Sequence, residues 1–285
     1  MTRGRKLQIL LGIPAVLLLF VFLILPLTGM VEMSFRTSGT NAPYGDGFTT
    51  SHYVRVLGDS FFMTTLLRSL VTAAIVTALC LIVSYPLAWH LSKARGGKAL
   101  LLYACIASPL MTGVLVRNFG WMIVTAIDGP LNASLIGLGL ISRPLRLLFT
   151  QGLVIMALVH VFVPFMVLPI NNALRNINPA LSEASLSLGA GRVSTFLRII
   201  LPLSFPGIQP GVILVFVLSV AAYVTPALLG GQMVNLMPTL IIRELTGTFA
   251  WPFGSTLAIV MSVATLSIVI CFSLLTAKLM ERVRA

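Results

Sequence analysis

The sequence predicts an all-α polytopic membrane protein with six transmembrane helices and one helix–corner–helix elbow. Three observations carry this prediction. Hydrophobic residues make up 58% of the chain, charged residues only 9%, and the mean hydropathy is +1.03, which leaves too little polar surface to cover a soluble globule. Six apolar stretches reach the roughly 20 residues that a helix needs to cross a hydrocarbon core of about 30 Å: Leu7–Met33, Thr65–Leu91, Ala99–Ile127, Gln151–Asn171, Gly207–Leu229 and Phe253–Ala277. Between the fourth and fifth lies a long polar connection, Asn176–Pro206, with helix signals of its own.

Charge orients the spans. Arg3, Arg5 and Lys6, then Lys93, Arg95 and Lys98, then Arg175, Arg192 and Arg198, then Lys278, Arg282 and Arg284 form four groups of three on one face, opposed there by Glu183 and Glu281 alone. By the positive-inside rule that face is cytoplasmic and holds both termini and the elbow. The net charge of +12 follows from this topology, so no nucleic-acid partner is implied. Membrane lipid is the expected surrounding.

The first span contains Pro14 and Pro26, which should kink it. Met1–Lys6 and the apolar run after it have the look of a signal peptide, but the run exceeds the roughly 7–15 residues of a signal core and lacks a small-x-small site. It reads as a retained first helix over 1–33, able to stand apart from a core over 65–277 within a single transmembrane domain over 1–285. In the external segment Ser34–Thr64, Asp59 is placed to cap the next helix, Tyr53 is an interface anchor and His52 a solvated or interfacial loop residue. Trp89 and His90 close the second span at headgroup depth. Cys80, Cys105 and Cys271 all sit in spans, without metal-ligand spacing, and imply neither disulfide nor metal.

Polar residues within spans are candidates for a solute path, because such groups face a cavity or a partner rather than lipid. Arg117 and Trp121 lie toward the external end of span three. Arg117 either borders a pathway or snorkels out to hold phosphates or a loop carbonyl. His160 in span four, beside Pro164 and Pro169, either lines the path or bonds a neighbouring helix. In span five Ser219 and Tyr223 are four apart with Thr225 close by, an expected polar stripe that suits either a path or interhelical hydrogen bonds.

The elbow has the most explicit grammar. Asn178 followed by Pro179 starts a helix. Leu181, Ala184, Ser185 and Leu188 recur on one side, with Glu183 and Ser187 on another flank. Gly189 and Gly191 stop the helix in a Gly-Ala-Gly corner, and a second short helix over Val193–Leu201 should end at Pro202.

Glu183, Ala184 and Ser185, three further residues, Gly189, nine more, then Ile199, Ile200, Leu201 and Pro202 match the EAA-x3-G-x9-I-x-L-P signature, with serine for alanine at Ser185 alone. The chain thereby resembles permease subunits of binding-protein-dependent ABC importers. Leu228-Leu229-Gly230-Gly231, Trp251-Pro252-Phe253-Gly254 and Arg117-x3-Trp121 resemble the spermidine/putrescine-type branch of that family. The resemblance implies a second permease subunit, an external solute-binding protein and ATP-binding subunits. It also implies that Glu183, Ala184, Ser185, Gly189, Ile199, Leu201 and Pro202 couple to those ATPases. The chain carries no G-x4-G-K-[ST] loop, so ATP and magnesium would belong to the partners and the chain itself would be no enzyme. A polyamine is the solute so implied, although no carboxylate lies mid-span. An ion-gradient-driven secondary transporter or channel would instead show coupling carboxylates or internal repeats, and neither is visible. A membrane scaffold recruiting a cytoplasmic partner is the other alternative.

Overall fold

The computed structural model describes residues 3–39 and 42–284. Helices dominate it, and among the described residues the one strand-like pairing is an isolated bridge between Arg36 and Phe48. Among the described residues, five helical stretches are long and apolar enough to cross a membrane: Ser60–Lys93, Val114–Gly137, Gln151–Arg175, Arg192–Ala221 and Trp251–Lys278. Phe20–Phe35 and Gly96–Met111 are shorter apolar helices. The chain divides into two compact units, one from the described residues of Met1–Thr64 with Leu240–Val263, the other from those of Thr65–Thr239 with Ala264–Ala285.

The smaller unit is built around the aromatic ring of Phe253, which belongs to α12 (Trp251–Arg284). Phe62 meets this ring at 5.2 Å and His52 at 6.0 Å, both edge-on, and the Arg55 guanidinium lies 4.8 Å over it. His52 and Arg55 come from α2 (Ser51–Gly58), so His52 stands on a helix instead of the solvated or interfacial loop expected, with Nε2 3.2 Å from Arg36 O. Tyr53 likewise packs inward, its ring 5.1 Å from Phe35 and its hydroxyl 2.7 Å from Ser34 Oγ. Thr256 Oγ1 donates to Ser34 O at 3.0 Å and joins α12 to α1 (Arg3–Phe35). Asp59 caps as predicted: its Oδ1 accepts the Phe61 N–H at 2.8 Å, where α3 (Ser60–Lys93) begins.

The larger unit has α7 (Gln151–Arg175) at its centre. Val154, Met166, Val167 and Ile170 are fully buried there, with Val76, Cys80, Ala88 and Leu91 of α3 in the same core. Small residues on α3 let the two helices approach, and their polar atoms bond across: Cys80 Sγ to Val159 O at 3.7 Å and Ser84 Oγ to Val163 O at 3.3 Å. α7 also receives α10 (Leu201–Ala221), at a glycine. A Cβ on Gly207 would collide with Pro169 O and come within 2.6 Å of Ala173 Cβ, so only glycine fits this contact.

Two spans depart from the sequence expectation. The third is broken into α4 (Gly96–Met111) and α5 (Val114–Thr125), with Thr112 and Gly113 extended between them. Pro109 and Gly113 weaken the helix here, and Arg117 sustains the break because its Nη2 bonds the carbonyls of Pro109 and Thr112, which a helix end leaves without partners. α6 (Pro130–Gly137) follows. The fifth span ends at Ala221: Ala222 is extended (ψ 119°), and Pro226–Gly230 forms a separate wide turn before α11 (Met237–Ile242).

Candidate coupling elbow and solute path

The elbow begins as predicted. The Asn178 side chain accepts the Ala180 N–H at 3.0 Å and Pro179 occupies the first turn of α8 (Pro179–Ser187). The helix stops at a left-handed glycine. Gly189 has φ +82°, its N–H bonds Leu186 O at 3.0 Å, and the Ala190 N–H bonds Ser185 O at 3.1 Å. This pair of backward bonds is the Schellman motif, and it satisfies carbonyls that the helix end would otherwise orphan. Gly191 plays a different part from the one expected. Its φ of −69° and ψ of 158° are extended, and it stands as the N-cap of α9 (Arg192–Thr195). The corner therefore turns on one glycine.

Nor does the second limb end at Pro202. A single π-turn over Phe196–Ile200 follows α9, the Leu201 N–H donates to Phe196 O, and the helix runs on into α10. The wider turn takes up a residue just ahead of the proline, where an ordinary turn would have asked its missing N–H for a bond. Ile200 is buried, while Ile199, Leu201 and Pro202 are half-buried. Phe196 is set edge-on against Tyr85 at 5.5 Å and Trp89 at 5.9 Å. Trp89 is thus a packing partner of the elbow's root, with Lys93 Nζ 4.0 Å over its ring, and the headgroup role read from sequence describes only its position along α3.

The outer surface of the elbow is apolar and unburied. Leu181 and Leu186 are each 46% exposed and Leu188 is 88% exposed. Glu183 and Ala184 are exposed too, and Glu183 makes no ion pair among the described residues. Leu186 lies about 140° around the helix from Leu181, so the apolar side chains are not confined to the single side that the spacing of Leu181 and Leu188 suggested. Ser185, half-buried, turns inward, with its Oγ 3.0 Å from Thr195 Oγ1 across the corner.

A family model described as the binding-protein-dependent transport system inner membrane component matches residues 99–285. The chain belongs to this family. It is 36% identical over 247 residues to the spermidine/putrescine transport system permease protein PotB of Escherichia coli (strain K12), covering 87% of this chain and 89% of that one. Its fold is similar to that in the crystal structure of a bacterial ABC transporter involved in the import of the acidic polysaccharide alginate, with a TM-score of 0.76 at 18% identity, over 97% of this chain and 96% of that chain. A structure of the bacterial alginate transporter in complex with its alginate pentasaccharide-bound periplasmic protein gives the same score and identity over 98% of this chain and 96% of that one.

In this permease the motif residues Glu183 to Pro202 fall together in the elbow, while the candidate path residues divide. Arg117 and Trp121 share α5, and the Trp121 ring meets His160 of α7 edge-on at 5.9 Å. His160 is exposed and Trp121 half-buried. Ser219, Tyr223 and Thr225 do not form the predicted stripe. Ser219 is buried with its Oγ unpartnered among the described residues, Tyr223 is 43% exposed, Thr225 is buried, and the helix ends between the first and second of them.

Sequence reasoning missed the fastening of the elbow's base. Arg175 Nη2 donates to Leu91 O at 3.3 Å and Ala94 O at 3.4 Å, with its guanidinium 5.8 Å over Tyr103, whose hydroxyl accepts from Asn171 Nδ2 at 2.8 Å. Tyr85 adds a 2.9 Å bond to Ser204. An arginine ending a helix just ahead of the elbow was a visible signal, although it read only as topology. The Leu-Leu-Gly-Gly turn also gains a reason, since Gly231 (φ +54°) leaves no space for a Cβ beside the Phe149 ring at 2.7 Å.

Proposed function

We propose that this chain is one of two permease subunits of an ATP-driven importer, carrying a polyamine across the inner membrane after an external binding protein delivers it. The chain forms a single transmembrane domain of six crossings, with the broken α4–α5 pair serving as the third and both termini facing the cytoplasm. The elbow lies on that side too. It docks in an ATP-binding subunit, whose ATP and magnesium supply the energy, and passes nucleotide-driven closure to α10 as a rigid lever.

One observation carries this reading: the motif residues fold into an elbow that offers a partner unburied leucines and a carboxylate with no ion pair among the described residues. A helix lying on the membrane surface would confine its apolar residues to one face, and α8 does not. The polyamine assignment rests on the 36% identity with spermidine/putrescine permeases. Arg117, whose positive charge in a span would repel a polycation, is occupied by the carbonyls at the end of α4. Trp121 and His160 would border the path, where an indole face suits a passing ammonium, with Arg117, Ser219, Tyr223 and Thr225 as its remaining candidate residues. The missing mid-span carboxylates fit a path that passes the solute on without holding it, selection being left to the binding protein.

Uptake of radiolabelled spermidine separates the alternatives. In cells carrying the complete system, replacing the phosphate-loop lysine of the ATP-binding subunit should abolish uptake. Uptake that persists in that variant and collapses with the ion gradient would instead mark a secondary transporter.

A further inference from the structure

Ser185 departs from the alanine of the motif, and its contact gives the departure a purpose. Its Oγ reaches Thr195 Oγ1 at 3.0 Å, and Thr195, only 3% exposed, spends its own proton on Gly191 O at 3.2 Å. A hydroxyl carries one proton, so the proton between the two residues comes from Ser185. A chain of two hydroxyls therefore crosses the corner, from the last turn of α8 to the N-cap of α9. The corner needs such a restraint. Gly189 lies in open space, with nothing within 4 Å of where a Cβ would stand, so side-chain packing does not fix the angle at that residue.

We propose that Ser185 is a positioning residue: with Thr195 it latches α8 to the limb that continues into α10, so that Glu183 and the exposed leucines meet the ATP-binding subunit at a set angle. This rests on the reading of the elbow as the ATPase contact. A motif alanine at this position packs but cannot latch. An elbow without the latch spends part of its time at other angles, and the partner's affinity falls by the fraction lost.

Two measurements on the permease pair in lipid nanodiscs test the latch without any solute. One is amide hydrogen exchange over Gly189–Thr195 in the full assembly, which reads local opening. The other is the Kd for rebinding of stripped ATP-binding subunits. Ser185→Ala should speed corner exchange and weaken rebinding, each by about fivefold, equivalent to ~1 kcal/mol at 1.4 kcal/mol per tenfold. Ser185→Thr, which keeps the hydroxyl, should restore both, and adding Thr195→Val to Ser185→Ala should cause little further change because the two share one interaction. Glu183→Ala should weaken rebinding with corner exchange unchanged. Wild-type corner exchange in Ser185→Ala, or faster exchange with unchanged rebinding, overturns the latch and leaves the ATPase contact standing. Rebinding unaffected by Glu183→Ala overturns that contact, and the latch's purpose with it.

Discussion

At Gly189 a single backbone angle decides whether the elbow can form. An L-residue at φ +82° costs roughly 1–2 kcal/mol, more for a β-branched side chain, whereas asparagine visits this region more readily. Because no neighbour crowds the site, the penalty is purely conformational. Gly189→Val should lower spermidine uptake by about tenfold at equal membrane abundance, and Gly189→Asn should keep most of it. Equal uptake in both variants would show that the left-handed corner is dispensable. The N-cap at Asn178 and the left-handed glycine were legible in the sequence, because each answers a local demand of the backbone. The Ser185–Thr195 and Arg175–Leu91 bonds were not, since they depend on which segments tertiary folding brings together.

Among the elements, α7 and α10 set the packing of the larger unit. Gly207→Ala puts a methyl where Pro169 O and Ala173 Cβ already stand, and overpacking of this kind costs about 1–3 kcal/mol. Gly211→Ala meets chiefly Met166 Sδ at 2.8 Å, a flexible side chain that can swing aside. The thermal midpoint of the detergent-solubilised protein should therefore fall by several degrees in Gly207→Ala and by clearly less in Gly211→Ala. The reverse order would refute the close approach at Gly207. Hydropathy located the long helices but not the interruptions at Thr112 and Ala222. An apolar run looks continuous whether or not its backbone bonds are, and the residue that stabilises the first break, Arg117, lies beyond the break. Proline misled at Pro202 for a related reason: the π-turn ahead of it leaves no sign in composition.

For the whole molecule, the proposed coupling rests on a division between buried and exposed surface. The elbow's root is fastened inward through Phe196, Tyr85 and Trp89, while its tip is left bare at Glu183, Leu186 and Leu188. The proposed lever would need that combination, firm where it meets the spans and open where the ATP-binding subunit would push. The family and the helical class were readable from motif spacing and hydropathy together. The path was far less so, because residues such as Ser219 and Tyr223 share a helical spacing that the chain abandons at Ala222.

The central claim is that the tip of this elbow faces the cytoplasm and is covered by an ATP-binding subunit. It is tested most directly by one cysteine. In a variant with Cys80, Cys105 and Cys271 replaced, Leu188→Cys should be inert to an impermeant maleimide added to intact spheroplasts, while Met233→Cys, 77% exposed in wild type, should react from outside. In inside-out vesicles Leu188→Cys should react quickly once the ATP-binding subunits are stripped, and on the order of tenfold more slowly when they are restored, as burial at an interface core requires. Labelling of Leu188→Cys from outside, or a rate indifferent to the ATP-binding subunits, would contradict the account.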